Sequence, residues 1–184
     1  MRVLFIGDIY GRPGRRAVHE LVPKLRAEHG LDVVVANCEN SAGGKGVTSK
    51  IAREFLDGSV DILTGGNHIW QCRDIIPFIK EETRLIRPAN YPDAPGVGST
   101  VHCLDNGRTL GVIQVEGRVF MRNLDCPFKV LDRLLDEMQD VNAILVDVHA
   151  EATSEKQALG WYLDGRVAGV FGTHTHVQTA DERI

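Results

Sequence analysis

Eight residues of this chain have side chains suited to chemistry and share one local context. Asp8 follows Val-Leu-Phe-Ile-Gly, Glu39 and Asn40 follow Val-Val-Val-Ala-Asn-Cys, and Asn67 and His68 follow Asp-Ile-Leu-Thr-Gly-Gly. His149 follows Ala-Ile-Leu-Val-Asp-Val, and His174 and His176 follow Val-Ala-Gly-Val-Phe-Gly-Thr. Singly, each has an ordinary explanation: an Asp after a strand caps a helix, an Asn after two glycines adopts a left-handed turn, and a lone His packs inside. Capping and turn preferences give no reason for the set to recur after every apolar run. Oxygen and imidazole donors without thiolate favour Mn, Fe, Zn or Mg over a soft-metal or iron–sulfur site. The donors outnumber what one ordinary zinc site needs, so two ions sharing a bridging carboxylate is the economical reading.

The elements that must position these residues follow from the apolar pattern. Short β-branched runs at Val3 to Ile6, Val33 to Val35, Val60 to Leu63, Ala143 to Val146 and Val167 to Phe171 have the length of buried parallel strands. Helical patterns intervene: Arg15 to Glu28 after Pro13 and Gly14, Ser49 to Leu56 after a glycine-rich loop, and a run from Asp125 or Pro127 through Met138. This alternation predicts an α/β fold with largely parallel central strands and flanking helices. Ser99 to Leu104 and Thr109 to Val115 flank Asn106-Gly107, a hairpin turn signal, so an antiparallel hairpin is predicted to join the sheet. In open α/β sheets, ligands bind outside the carboxyl ends of the strands, where all the donors fall.

Composition narrows the function classes. At 184 residues and 43% hydrophobic content, one domain is expected, spanning residues 1–184. A formal charge of -4 argues against a stable nucleic-acid partner, which usually needs clustered Lys and Arg. The four cysteines form no CxxC pair, so reduced thiols are expected. The apolar start is too short for a signal peptide or membrane span, and a cytoplasmic protein is expected, with no membrane partner. The sequence stops at Asp181-Glu182-Arg183-Ile184, just after its most polar stretch, and is read as a domain lacking its C-terminal part.

Gly7-Asp8, Glu39-Asn40, Gly66-Asn67-His68, a lone His149 and Gly172-Thr-His174-Thr-His176 stand in the order of the calcineurin-like metallophosphoesterase signature. The chain resembles that superfamily across essentially its whole length, and most closely its YmdB-type bacterial branch of 2′,3′-cyclic-nucleotide phosphodiesterases. The branch resemblance rests on Asn37-Cys-Glu-Asn-Ser-Ala-Gly-Gly-Lys-Gly46, Arg87-Pro-Ala-Asn90 and His149-Ala-Glu-Ala-Thr-Ser-Glu-Lys156. The resemblance implies a layered metallophosphoesterase fold whose two metal ions, Fe or Mn with Mg and Zn as alternatives, sit at the strand carboxyl edge. Asp8, Glu39, Asn40 and His176 would hold one ion, and Glu39, Asn67, His149 and His174 the other, with Glu39 bridging. His68 would be the general acid. The chain departs from the broad superfamily in having Tyr10 where its first motif has histidine, and a glutamate as bridge.

The expected activity is in-line attack of a metal-bridging hydroxide on a small anionic phosphodiester, with 2′,3′-cyclic nucleotides implied by the resemblance. Two carboxylates and one hydroxide against two divalent ions leave about +1 to attract that substrate. The resemblance also makes a homo-oligomer reasonable. The alternative is a regulatory RNA- or protein-binding module with a structural or vestigial metal site. Two features stay open: Ser41-Ala-Gly-Gly-Lys-Gly46 as phosphate cradle or plain turn, and Arg87 and Arg118 as substrate grips or surface residues.

Overall fold

The computed structural model describes residues 1–184. Its strands are β1 (Val3–Ile6), β2 (Val33–Asn37), β3 (Ile62–Thr64), β4 (Leu85–Ile86), β5 (Ser99–Cys103), β6 (Thr109–Glu116), β7 (Ala143–Ala150) and β8 (Gly169–His174). The helices are α1 (Gly11–His29), α2 (Ser49–Leu56), α3 (Ile75–Glu81), α4 (Pro127–Glu137) and α5 (Thr153–Leu163). No helix is long and apolar enough to cross a membrane.

The strands form two sheets, where the sequence predicts a hairpin joining one. Strands β1 to β4 pair side by side in parallel. The hairpin β5–β6 instead continues into β7 and β8, with β6, β7 and β8 parallel. The two-residue β4 ends the first sheet, and an isolated bridge between Ile86 and Val97 links it to the hairpin approach.

Burial on both faces explains the uninterrupted apolar runs. Val34, Ala36 and Leu63 pack outward under Val18 and Val22 of α1, Phe55 of α2 and Phe78 of α3. Val33, Val35 and Ile62 face the other way, onto Leu110, Val112 and Leu145 of the second sheet. That sheet's outer face, with Ile113, Val146 and Val148, is covered by Leu131 of α4 and Leu159 of α5. The result is a four-layer helix–sheet–sheet–helix sandwich, and stacked Phe5 and Phe171 rings, 4.3 Å apart, clamp β1 onto β8.

Several boundaries move for physical reasons. Helix α1 begins at Gly11, ahead of Pro13, because a proline in the first turn replaces an N–H that has no partner there anyway. Helix α2 starts where predicted, and Thr48 caps it by accepting from the Ile51 N–H. Strand β7 runs on through His149 because it stays in register with Glu116 of β6 and Thr173 of β8. His149 and His174 therefore lie within the last two residues of their strands and not beyond them.

Candidate metal centre

All eight predicted residues meet at one place, the carboxyl edge of both sheets. Glu39 is at the middle: its side chain is fully buried, its Oε1 lies 3.2 Å from His149 Nε2 and accepts from Asn40 Nδ2 at 2.9 Å, and its Oε2 accepts from the His68 N–H at 2.9 Å. On one side stand His149, Asn67 and His174, with His149 Nε2 2.9 Å from Asn67 Oδ1 and 3.2 Å from His174 Nδ1. On the other stand Asp8, Asn40 and His176, with His176 Nε2 3.5 Å from Asp8 Oδ1 and 3.1 Å from Asn40 Nδ2. Asn40 turns its oxygen to His68 Nδ1, 3.0 Å away, so ligation through that oxygen requires the amide to turn over.

The local backbone is shaped for this convergence. Gly66 leaves the space that Glu39 and His149 occupy, since a Cβ there would collide with both. His174 and His176 both adopt positive φ (89° and 54°), a conformation costing about 1–3 kcal/mol each and typical of functional sites. The carboxylate of Asp8 holds the turn by accepting from the His174 N–H at 3.0 Å.

Electrostatics follow from burial and proximity. Burial would raise the Glu39 carboxyl, but the hydrogen bond and charge of His149, followed by the His68 N–H, bring it down to about 2. Burial opposes the charged form of His149, which Glu39 restores and raises. His174 is lowered, by its own burial and then by the charge of His149. Asp147, two residues before His149, is raised by burial, against which His149 and the hydroxyls of Thr173 and Thr64 act.

The donor set fits a cation by its own hydrogen-bonding deficit. With Nδ1 of His149 turned to Thr173 Oγ1 at 2.9 Å, its Nε2 faces three acceptors at once: a carboxylate, an amide oxygen and a second imidazole nitrogen. One proton cannot serve them all. Asp8 Oδ1 is buried with no partner. Ligand atoms of Glu39, His149 and His174 all lie within 4.8 Å of one another.

The features left open resolve differently. The amides of Ser41, Ala42, Gly44 and Lys45 are bonded within their own loop, to Cys38, Gly46, Asn40 and Ala42 carbonyls, which supports the turn and not the cradle. Arg87 donates to the carbonyls of Gly96, Pro88, Ala89, Tyr91 and Ala94, so it organises its own loop. Arg118 reaches Asn123. Tyr10 is 57% exposed and meets the His176 ring edge-on, its centroid 5.7 Å away. The four cysteines are free. Sequence reasoning did not single out Glu151, whose Oε2 takes the outer nitrogen of His174 at 3.1 Å, although it stands in the same stretch as His149.

Two stacked sheets that deliver carboxylate, amide and imidazole donors to one shared edge define a metallophosphoesterase-fold protein. The chain belongs to the YmdB-like protein family, whose model matches residues 4–184. It is 50% identical over 186 residues to the 2′,3′-cyclic-nucleotide 2′-phosphodiesterase of Bacillus subtilis, spanning 100% of this chain and 70% of that protein. Among solved structures it resembles a hypothetical protein from Thermus thermophilus, with TM-score 0.92 and 47% identity over 98% of this chain and 70% of that one. It also resembles a novel phosphatase from Mycoplasma pneumoniae, with TM-score 0.91 and 33% identity over 99% of this chain and 66% of that one.

Proposed function

We propose that this chain is a metal-dependent phosphodiesterase acting on small phosphodiesters, with 2′,3′-cyclic nucleotides as the substrate class. The observation that carries the reading is Glu39, a fully buried carboxylate placed where two groups of donors meet, Asp8, Asn40 and His176 on one side and Asn67, His149 and His174 on the other. Asp8, Glu39, Asn40 and His176 would hold one ion, and Glu39, Asn67, His149 and His174 a second, Fe or Mn being the best suited. Such ions, when bound, supply Lewis acidity to a phosphoryl oxygen and bring the pKa of a water from about 15.7 towards 7.

The chain's own residues do the rest. The donors bring only two carboxylates, Asp8 and Glu39, so an anionic phosphate is not repelled. His68 is fixed by its backbone N–H to Glu39 and its Nδ1 to Asn40, and in its doubly protonated form the Nε2 proton passes to the departing alkoxide as the P–O bond breaks, leaving the neutral ring. Its side chain is 25% exposed, which suits a group that must meet substrate. The substrate class draws on the Bacillus subtilis relative's name. We assign residues 1–184 to one domain of a cytoplasmic homo-oligomer, a reading that draws on the family and on four free thiols suited to a reducing compartment.

The test is a substrate panel on metal-loaded protein, including bis-p-nitrophenyl phosphate, 2′,3′-cyclic nucleotides and monoesters, with metal content measured on the same sample. Diester turnover that disappears in Glu39→Ala is expected. Metal-loaded protein inert towards every diester would overturn the reading in favour of a binding module.

A further inference from the structure

Directly beneath the metal centre, a layer of buried polar side chains joins the two sheets. Asp147 of β7 is fully buried there. Its Oδ2 accepts from Thr64 Oγ1 at 2.6 Å, Gln114 Nε2 at 2.9 Å and Asn37 Nδ2 at 3.1 Å. Its Oδ1 accepts from Thr173 Oγ1 at 2.6 Å. The amides cannot turn over, because both also donate to the Gly65 carbonyl, Gln114 Oε1 accepts from the Gly65 N–H, and Asn37 Oδ1 accepts from the Glu39 N–H.

Two fixed amide donors and a hydroxyl converge on Oδ2 and hold Asp147 as an acceptor despite its burial, so the one hydrogen of the Thr173 hydroxyl goes to Oδ1. Towards His149 Nδ1, 2.9 Å away, the hydroxyl oxygen can only accept. When His149 carries a single proton, the state that can bind a metal ion, that proton therefore sits on Nδ1 and the Nε2 lone pair faces Glu39, Asn67 and His174. A buried carboxylate held by four polar side chains is often no more stabilising than apolar packing of the same volume, which leaves room for a role beyond stability.

We infer that Asp147 and Thr173 are positioning residues that hold His149 in the tautomer and orientation needed to bind a metal ion. The inference rests on the metal-dependent reading above and extends it from the ligands to what orients one of them. Partners of this kind, which fix the far nitrogen of a ligating histidine, typically change metal affinity about 10- to 100-fold when lost.

Asp147→Asn is the decisive variant, because it keeps the shape and reverses the direction. Two fixed amide donors still converge on one side, so the new amide must place its oxygen there and its NH2 towards Thr173. The Thr173 hydroxyl then donates to His149 Nδ1, and the imidazole proton moves to Nε2. Long-range 1H–15N correlation spectra of the metal-free chain, at a pH where the ring carries one proton, should show Nδ1–H in the wild type and Nε2–H in Asp147→Asn. Mn2+ affinity should fall about 10- to 100-fold in the variant.

Thr173→Val should lose the tautomer preference and the affinity together, and Thr173→Ser should restore both, which decides the matter even if Asp147→Asn does not fold. Unchanged tautomer and Mn2+ affinity in Asp147→Asn or Thr173→Val would overturn the inference alone. A wild-type chain with the Nδ1–H tautomer and no affinity for Mn2+ would instead overturn the metal-dependent reading and, with it, the assigned role.

Discussion

Replacing Gly66 with alanine should disable the metal centre with one methyl group. Gly66 needs no unusual backbone conformation, so only space is at issue. Its Cβ would stand 2.6 Å from Glu39 Cδ and 2.6 Å from His149 Cε1, where ordinary contact begins at 3.4 Å. His149 must therefore retreat by about 0.8 Å, and Glu39 by more because its Oε2 lies closer still; neither can swing into solvent, because both are fully buried. Glu39 is tied to His68 and Asn40, and His149 to Thr173. Overpacking of this kind costs about 1–3 kcal/mol of stability, and a misplacement near 1 Å costs about 10²-fold in rate. The assay is kcat/KM on bis-p-nitrophenyl phosphate with metal content measured in parallel. Gly65→Ala is the control, since the atoms nearest its Cβ belong to the Ile69 side chain, with 2.8 Å the closest approach; it should lower Tm without a comparable loss of bound metal. Wild-type turnover and metal content in Gly66→Ala would refute the packing argument.

Two further predictions concern protons. His68→Ala should keep its metal and lose about 10²- to 10⁴-fold in kcat on a substrate with a poor leaving group, and much less on a p-nitrophenyl ester; equal losses on both would remove the acid assignment. Burial pushes the Glu116 carboxyl up to about 7, against the hydrogen bond from Tyr91, so the folded metal-free chain holds this proton more tightly than the unfolded chain. Its contribution is fully present below about 4.5 and is lost as pH rises through about 7, a span corresponding to about 3 kcal/mol. Urea unfolding with chelator present should show Glu116→Gln flattening that dependence, and an identical slope in the variant would count against it.

Sequence showed the ligands better than it showed the frame. Asp8, Glu39, Asn67 and the histidines were legible because apolar runs of strand length end immediately before them. Helix α3, the two-residue β4 and α5 escaped notice for local reasons. The first two are too short to establish a period. In α5, the buried positions Glu155, Leu159 and Leu163 are spaced four apart but include a carboxylate, and Trp161 and Tyr162 lie on the exposed side, so no apolar stripe stands out. The division into two sheets depends on which strand β6 pairs with, and pairing partners leave no trace in one strand's composition.

The polar layer was hidden for a deeper reason. Where both faces of a sheet are buried, alternation between apolar and polar residues vanishes, and Asp147 or Gln114 within a run of Val, Ile and Leu reads as a blemish in a strand. Only the pairing register shows otherwise, by setting Gln114 beside Asp147 on neighbouring strands and His149 beside Thr173. These residues look misplaced singly and become intelligible as a set. In a strand buried on both faces, an isolated polar residue two positions before a ligand, on the same side of the pleat, lies where it can reach that ligand's far nitrogen through one intermediary. Asp147 and His149 have that spacing, and Thr173, beside His149 on the next strand, supplies the intermediary.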